Sequence, residues 1–327
     1  MPLSLRRGTV SAIDEEHDRL VRLRVDGVAC VAFPRVTGPV AVGDEVLVNV
    51  QARALGLGSG GFDMLHANLT RGLEIDPEPG AHVMVLPYTP LQHAVRHAEE
   101  DGKLAGRLAG LPVICCSVHS QVLPVCAALE GVRVGYVQLG GGALPVSLSD
   151  ALRALRERAL VEVVVAVAPC FDADVQCVNV WSALAWCAAH DLQAVVCSVG
   201  PGIVGTGTRL GHGGLAAVEA ANAAAALDGA PVLAVRVSEQ DSRERHRGVS
   251  HHAQAILDLC LGDVTAGWPT GVRAPSWLEP RQEVDASGWR SACDGLPLSF
   301  MGRGPDEDPA FFAAAYAAGL VARAKVA

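Results

Sequence analysis

The sequence predicts an α/β protein: an open parallel sheet of about six strands with crossover helices, preceded by a small antiparallel β-barrel-like module. Three observations predict it. From residue 82 onward, short apolar runs alternate with segments of helical period. Those runs are apolar on both faces, as strands are when helices cover a parallel sheet on both sides. Before residue 70 the texture is that of short strands and tight turns, with no helical period.

The elements follow in order. Leu20 to Val25 alternates apolar and polar residues, Asp26-Gly27 makes a tight hairpin turn, and Val28 to Phe33 and Glu45 to Val50 continue the strand pattern. Residues 1–70 are read as the barrel-like module, 71–81 as a linker and 82–327 as the α/β domain. Gly56, Gly58, Gly60 and Gly61 mark residues 51–80 as connector-like, and Asp76-Pro77-Glu78-Pro79-Gly80 closes that stretch. Strands are expected at His82–Pro87, Pro112–Val118, Arg133–Leu139, Val161–Ala168, Gln193–Val199 and Pro231–Val237. Helices are expected near 90–108, 122–130, 149–159, 175–190, 213–227 and 249–261, with Ser149-Asp150 capping the third. An alanine-rich helix from about Pro309 ends the chain.

Composition narrows the function. Half of the 327 residues are hydrophobic, enough for one large core and a small second one. The net charge of −9 argues against a nucleic-acid binder, which needs a basic face, and aromatics at 4% argue against base-stacking platforms. No apolar signal core follows Met1 to Arg7, and no apolar run is long enough to cross a bilayer, so a cytoplasmic protein without membrane partners is expected. The ten cysteines lie mostly in apolar segments and read as reduced core residues. Only Lys103 and Lys325 stand among the 26 basic residues, and there is no Gly-Lys-Ser/Thr sequence. That removes a Walker-type phosphate loop and leaves no good Schiff-base lysine.

In open α/β sheets, ligands bind beyond the carboxyl ends of the strands. The segment after the fifth predicted strand, Gly200–Gly214, holds seven glycines in 15 residues. Glycine lets backbone approach a ligand, and the following helix offers unpaired N–H groups. Gly202, Gly205, Thr206, Gly207, Thr208, Arg209, Gly211 and His212 are therefore candidate ligand-binding residues for a phosphate or carboxylate. The alternative is a loop that needs glycine for close packing. Residues 200–205 match G-x-G-x-x-G, but the strand is fifth in order, the helix starts late and no acidic residue follows at the usual spacing, so a dinucleotide site is not expected.

After the sixth strand, Arg243, Arg245 and Arg247 crowd around His246, and His251 and His252 open a helix. Arg243 and Arg245 suit the grip of an anion, and His246, His251 and His252 suit proton transfer, with His119 the next candidate, though a neutral histidine in this segment would serve equally as a metal ligand and the two readings compete. A solvated loop with Ser250 as helix cap is the bland reading. Cys170, Asp172 and Asp174 offer weaker possibilities. No H-E-x-x-H or C-x-x-C is present, so no metal ligands are assigned and the cofactor is left unknown.

The segments Pro87-Tyr88-Thr89-Pro90-Leu91-Gln92, His119-Ser120-Gln121, Gly200–Gly211 and Arg243–His252, with the Met301-Gly302-Arg303-Gly304 turn and Asp306 to Pro309, resemble a bacterial family catalogued as domain of unknown function 3866. The resemblance spans essentially the whole chain and implies no catalytic residues. One departure is Pro169-Cys170, where a histidine near Cys170 is expected.

These readings lead to an enzyme acting on a small anionic metabolite. The rival is a non-catalytic ligand sensor or scaffold whose N-terminal barrel binds a partner. Long alanine-rich helices suggest a homodimer.

Overall fold

The computed structural model describes residues 3–56, 60–71 and 75–326. The chain forms two compact units, the first ending at Arg96 and the second beginning at His97.

In the first unit, β1 (Leu5–Glu16), β2 (Val21–Val25), β3 (Val28–Ala32), β4 (Glu45–Asn49) and β5 (Asp63–Asn68) close into a barrel in the order β1-β2-β3-β5-β4. Two single-turn helices, α1 (Pro34–Thr37) and α2 (Gln51–Ala54), connect strands. The alternation read from the sequence fills the interior: Val21, Leu23, Val25, Val46 and Val48 are buried together, joined by Leu65 from the stretch expected as connector. Asp26 and Gly27 both have positive φ, as the tight turn between β2 and β3 requires. The stretch expected as connector contains β5, anchored by buried Asp63, which accepts two bonds from Arg53 of α2. Of its glycines, Gly58 lies outside the described residues.

Residues 82–108 differ from expectation. Here β6 (Val83–Val85) and β7 (His93–Val95) pair antiparallel within the first unit. The Pro87–Gln92 segment is their hairpin turn, held by bonds from Thr89 Oγ1 to the Leu86 carbonyl and from the Tyr88 N–H to Gln92 Oε1. Of the expected helix, only a 3₁₀ turn at Ala98–Asp101 forms. Pairing of β6 with β7 draws residues 87–95 into the hairpin instead.

The second unit is a three-layer α/β/α structure. Its strands are β8 (Pro112–Cys116), β9 (Val134–Leu139), β10 (Val163–Val167), β11 (Val175–Cys177), β12 (Ala194–Val199) and β13 (Ala230–Ala234). The short β14 (Val237–Ser238) and β15 (Gly248–Val249) pair with each other, and β16 (Thr265–Pro269) and β17 (Arg281–Val284) extend the main sheet. The eight-stranded order is β11-β10-β9-β12-β8-β13-β16-β17, and every neighbouring pair is parallel. The helices are α3 (Val122–Ala128), α4 (Asp150–Glu157), α5 (Val180–Ala189), α6 (Ala216–Ala226), α7 (His251–Leu259), the single turn α8 (Trp289–Ala292) and α9 (Pro309–Arg323). One sheet face packs against α5, α6 and α7, the other against α3, α4 and α9. Neighbours β8 and β12 lead into α3 and α6, on opposite faces, so the sheet has its topological switch point between them.

The alanines that suggested a dimer are consumed inside the unit. In α9, Ala314, Ala315, Ala317, Ala318 and Ala322 are buried, as are Ala217, Ala220, Ala221, Ala223 and Ala224 in α6. All ten cysteines are free thiols; nine are buried and Cys260 is half-buried. Among the described residues, no helix is long and apolar enough to cross a membrane.

Candidate functional site

The carboxyl end of β13 gathers most of the ionisable groups that the sequence singled out. Past β13 the chain runs through β14, a loop with a 3₁₀ turn at Glu244–His246, and β15, before α7 begins at His251. Pairing of Val237 with Val249 and Ser238 with Gly248 folds this loop back on itself. Ser250 caps α7 by accepting from the His252 N–H. The cap fixes His251 and His252 at the first two helical positions, beside His246.

His212, from the loop after β12, completes the group. Its ring stacks on His252 with centroids 3.5 Å apart, and the rings of His246, His251 and His252 lie 4.5 to 4.8 Å apart pairwise. His212, His246 and His252 are buried; His251 is half-buried, with its Nε2 shielded from solvent and without a hydrogen-bond partner. The His212 nitrogens make no hydrogen bond of normal geometry, although the Arg209 carbonyl faces the ring.

An ion-pair network that the sequence reading missed lies under the histidines. Arg236, 3% exposed, points Nη1 at His252 Nδ1 (3.3 Å) and Nη2 at Asp241 Oδ2 (3.3 Å). Buried Asp241 is gripped on its other side by Arg243, at 2.9 and 2.8 Å. Arg236 Nε has no partner. Buried Asp308, at the start of α9, accepts from Ser238 Oγ, the Glu239 N–H and Arg303 Nε. Arg236 and Arg303 both lie against the Phe300 ring. One signal could have exposed this network: Arg236 is a lone charge inside an apolar strand run, and buried arginines require partners.

Burial and cationic neighbours keep these imidazoles neutral. Burial first, then Arg236 and Arg243, pull the His246 pKa from 6.5 to about 3. Burial, His212 and Arg236 bring His252 to about 2. Burial and Arg245 lower His251, and burial and His251 lower His212. Burial also lowers Arg236 to about 10, while the Arg243 contact and its backbone N–H hold the Asp241 carboxyl well below the usual range despite opposing burial.

The glycine loop behaves differently from the anion cradle expected. Gly205 bridges His212, the Thr206 N–H donates to the Gly211 carbonyl, and the Gly213 N–H to the Val204 carbonyl, so the loop is a small hairpin. Thr206 and Thr208 spend their hydroxyls on each other and on Gly211. Arg209 turns away to an exposed pair with Asp258 of α7 at 2.7 Å. Gly213 lies so close to the loop after β9 that a β-carbon there would be 1.9 Å from the Gly141 carbonyl oxygen. Close packing thus accounts for much of the glycine. Gly202 and Gly207 have positive φ, and Gly207 serves the site directly: a β-carbon there would sit 3.2 Å from Arg245 Nη2. Arg245 makes no ion pair or side-chain hydrogen bond among the described residues, so its charge is available to a ligand.

His119 is held apart from these histidines, at the β8–β12 switch point. A carbonyl only accepts, so the 3.1 Å contact of Nδ1 with Val199 O puts the proton on Nδ1. Nε2 then accepts from the Ser149 hydroxyl at 2.6 Å, while Ser149 Oγ accepts the Leu152 N–H as the cap of α4. The Tyr136 hydroxyl lies 3.3 Å from Nδ1. Both ring nitrogens are occupied, and burial lowers the pKa to about 4. Gln121, three-bonded to Ser117, Val118 and the Ala234 carbonyl, ties the ends of β8 and β13 together. Cys170 is buried with its thiol pushed up to about 12, and Asp174 is paired with Arg156.

The family model described as protein of unknown function DUF3866 matches residues 29–319, from β3 of the barrel to the last turns of α9. The chain belongs to this family. No curated protein matches it. The DUF3866 region therefore includes the histidine–arginine cluster, the glycine hairpin and the Arg303–Asp308 pair, while β1 and β2 precede it.

Proposed function

We infer that this DUF3866 protein is an enzyme acting on a small metabolite that carries a phosphate or carboxylate, bound at the carboxyl end of β13. One observation carries the reading. Arg245, a guanidinium with no partner of its own, stands over the Gly207 turn and acts on His251 of the four-imidazole cluster, in which both His212 and His251 bury nitrogens without a normal hydrogen bond. Arginine suits a bidentate grip on such anions, and buried neutral imidazoles supply lone pairs for chemistry at neutral pH. Arg243 adds positive potential but is already committed to Asp241, so Arg245 is the gripping residue and Arg243 its support.

The test is thermal unfolding of chelator-treated protein with inorganic phosphate, sulfate and small dicarboxylates, against uncharged analogues. A ligand that binds only the native state raises the midpoint, by about 2.7 kcal/mol of stability at a hundred times its Kd. The expected result is a rise with at least one anion that is absent in Arg245→Gln. A rise equal for neutral analogues, or unchanged in Arg245→Gln, refutes the reading.

A further inference from the structure

We propose that His246, His251 and His252 hold a divalent transition-metal ion, which takes up the anion of the preceding section as its remaining ligand. This rests on that reading for the identity of the co-ligand, but on separate observations for the metal.

The first is geometric. Each of the three residues offers one ring nitrogen, and these nitrogens lie within 4.8 Å of one another. Zinc–imidazole bonds of about 2.0–2.1 Å in a tetrahedral site put ligand nitrogens roughly 3.3 Å apart. The remaining gap is on the scale of a side-chain rotation, and all three residues stem from one short stretch, 246–252, that joins the 3₁₀ turn to the start of α7. The second is the polar inventory. His251 Nε2 is buried and unpartnered inside the group, whereas buried nitrogens are normally satisfied. The third is the support around the rings. His246 Nδ1 meets Ser250 Oγ at 2.7 Å, the kind of outer contact that orients a ligating imidazole and leaves Nε2 for the metal. His212, stacked on His252, closes the site from the β12 side.

Two features set the terms of binding. Arg236 only donates, so its 3.3 Å contact makes His252 Nδ1 an acceptor and places the proton on Nε2. Metal and Arg236 therefore compete for His252, and Asp241, already bonded to Arg236 Nη2, receives the displaced guanidinium. The surroundings are also cationic: Arg236, Arg243 and Arg245 face the histidines, against one buried carboxylate, Asp241. Three neutral imidazoles add no negative charge, so a bare dication is opposed and an anion beside it is favoured. Metal and anion then strengthen each other's binding by equal factors. Three imidazoles leave the fourth position open for that anion, as a catalytic rather than a purely structural metal site requires.

Cobalt(II) titration of untagged, full-length protein tests this by visible absorption, which reports tetrahedral cobalt directly. One equivalent should produce the tetrahedral bands, and sulfate should tighten binding at least tenfold. The bands should vanish in His246→Ala and His251→Asn and persist in His190→Gln, a histidine stacked on Trp186. Half-buried His251 provides the decisive variant if His246→Ala does not fold. Absence of the bands at millimolar cobalt, or their survival in His251→Asn, overturns the metal site. The anion reading is judged separately, by the chelator-treated thermal shift and Arg245→Gln.

Discussion

Acid should weaken the α/β unit through His119, and the size of the effect follows from its surroundings. Burial holds the His119 pKa at about 4 against an ordinary 6.5. The folded state therefore keeps the ring neutral where the unfolded chain has protonated it, and the unfolded state binds the extra proton. Stability is fully present above about pH 6.5 and is lost as the pH falls toward about 4. Integrating between those two values gives a loss of about 2 kcal/mol from pH 7 to pH 5, and about 3 kcal/mol by pH 4. Other lowered histidines, such as His246 and His252, titrate in the same direction, so the wild-type slope alone does not isolate His119. The comparison with His119→Gln does, because glutamine can donate to Val199 and accept from Ser149 without titrating. All five tryptophans lie in the second unit, so urea unfolding followed by tryptophan fluorescence reports that unit alone. The stability difference between wild type and His119→Gln should shift toward the variant by about 2 kcal/mol between pH 7 and pH 5. Parallel pH profiles would refute the assignment of half-buried His119 as a neutral lock.

Two further outcomes are expected. Asp241→Asn leaves Arg236 buried without a countercharge and should cost about 3–5 kcal/mol in urea unfolding, whereas Asp258→Asn, which breaks only the exposed pair with Arg209, should cost under about 1 kcal/mol. Gly213→Ala forces the loops after β9 and β12 apart at the Gly141 carbonyl and should cost about 1–3 kcal/mol. It should also weaken anion binding by shifting His212, while Gly106→Ala, in open space, should be neutral on both counts.

Much of the fold was legible along the chain. The runs that became β8, β9, β10, β12 and β13 were apolar enough to need cover on both faces. The segments that became β11, β16 and β17 were not seen. Val175–Cys177 is three residues long and merges into the apolar start of α5; Thr265–Pro269 carries Gly267 and Pro269; Arg281–Val284 is a polar edge strand. None has a period to detect, and each forms because a neighbouring strand already offers its hydrogen-bonding edge. At the site, His246, His251 and His252 could be grouped from their spacing alone. Arg209 and Arg245 could not be told apart, since both are arginines in polar loops. Only folding sends one to Asp258 and leaves the other over Gly207.

The sequence alone carried the barrel followed by a parallel α/β layer, the burial of the cysteines, and the concentration of histidine and arginine after two strands. Those are properties of local period and residue chemistry. Tertiary structure decided that His212 joins the other three histidines, that Arg236 underlies them, and that His119 is locked elsewhere by Ser149 and Val199. Each of these depends on which strand lies beside which. In a parallel sheet that order is set by crossover connections and core packing between distant segments, to which no local pattern refers.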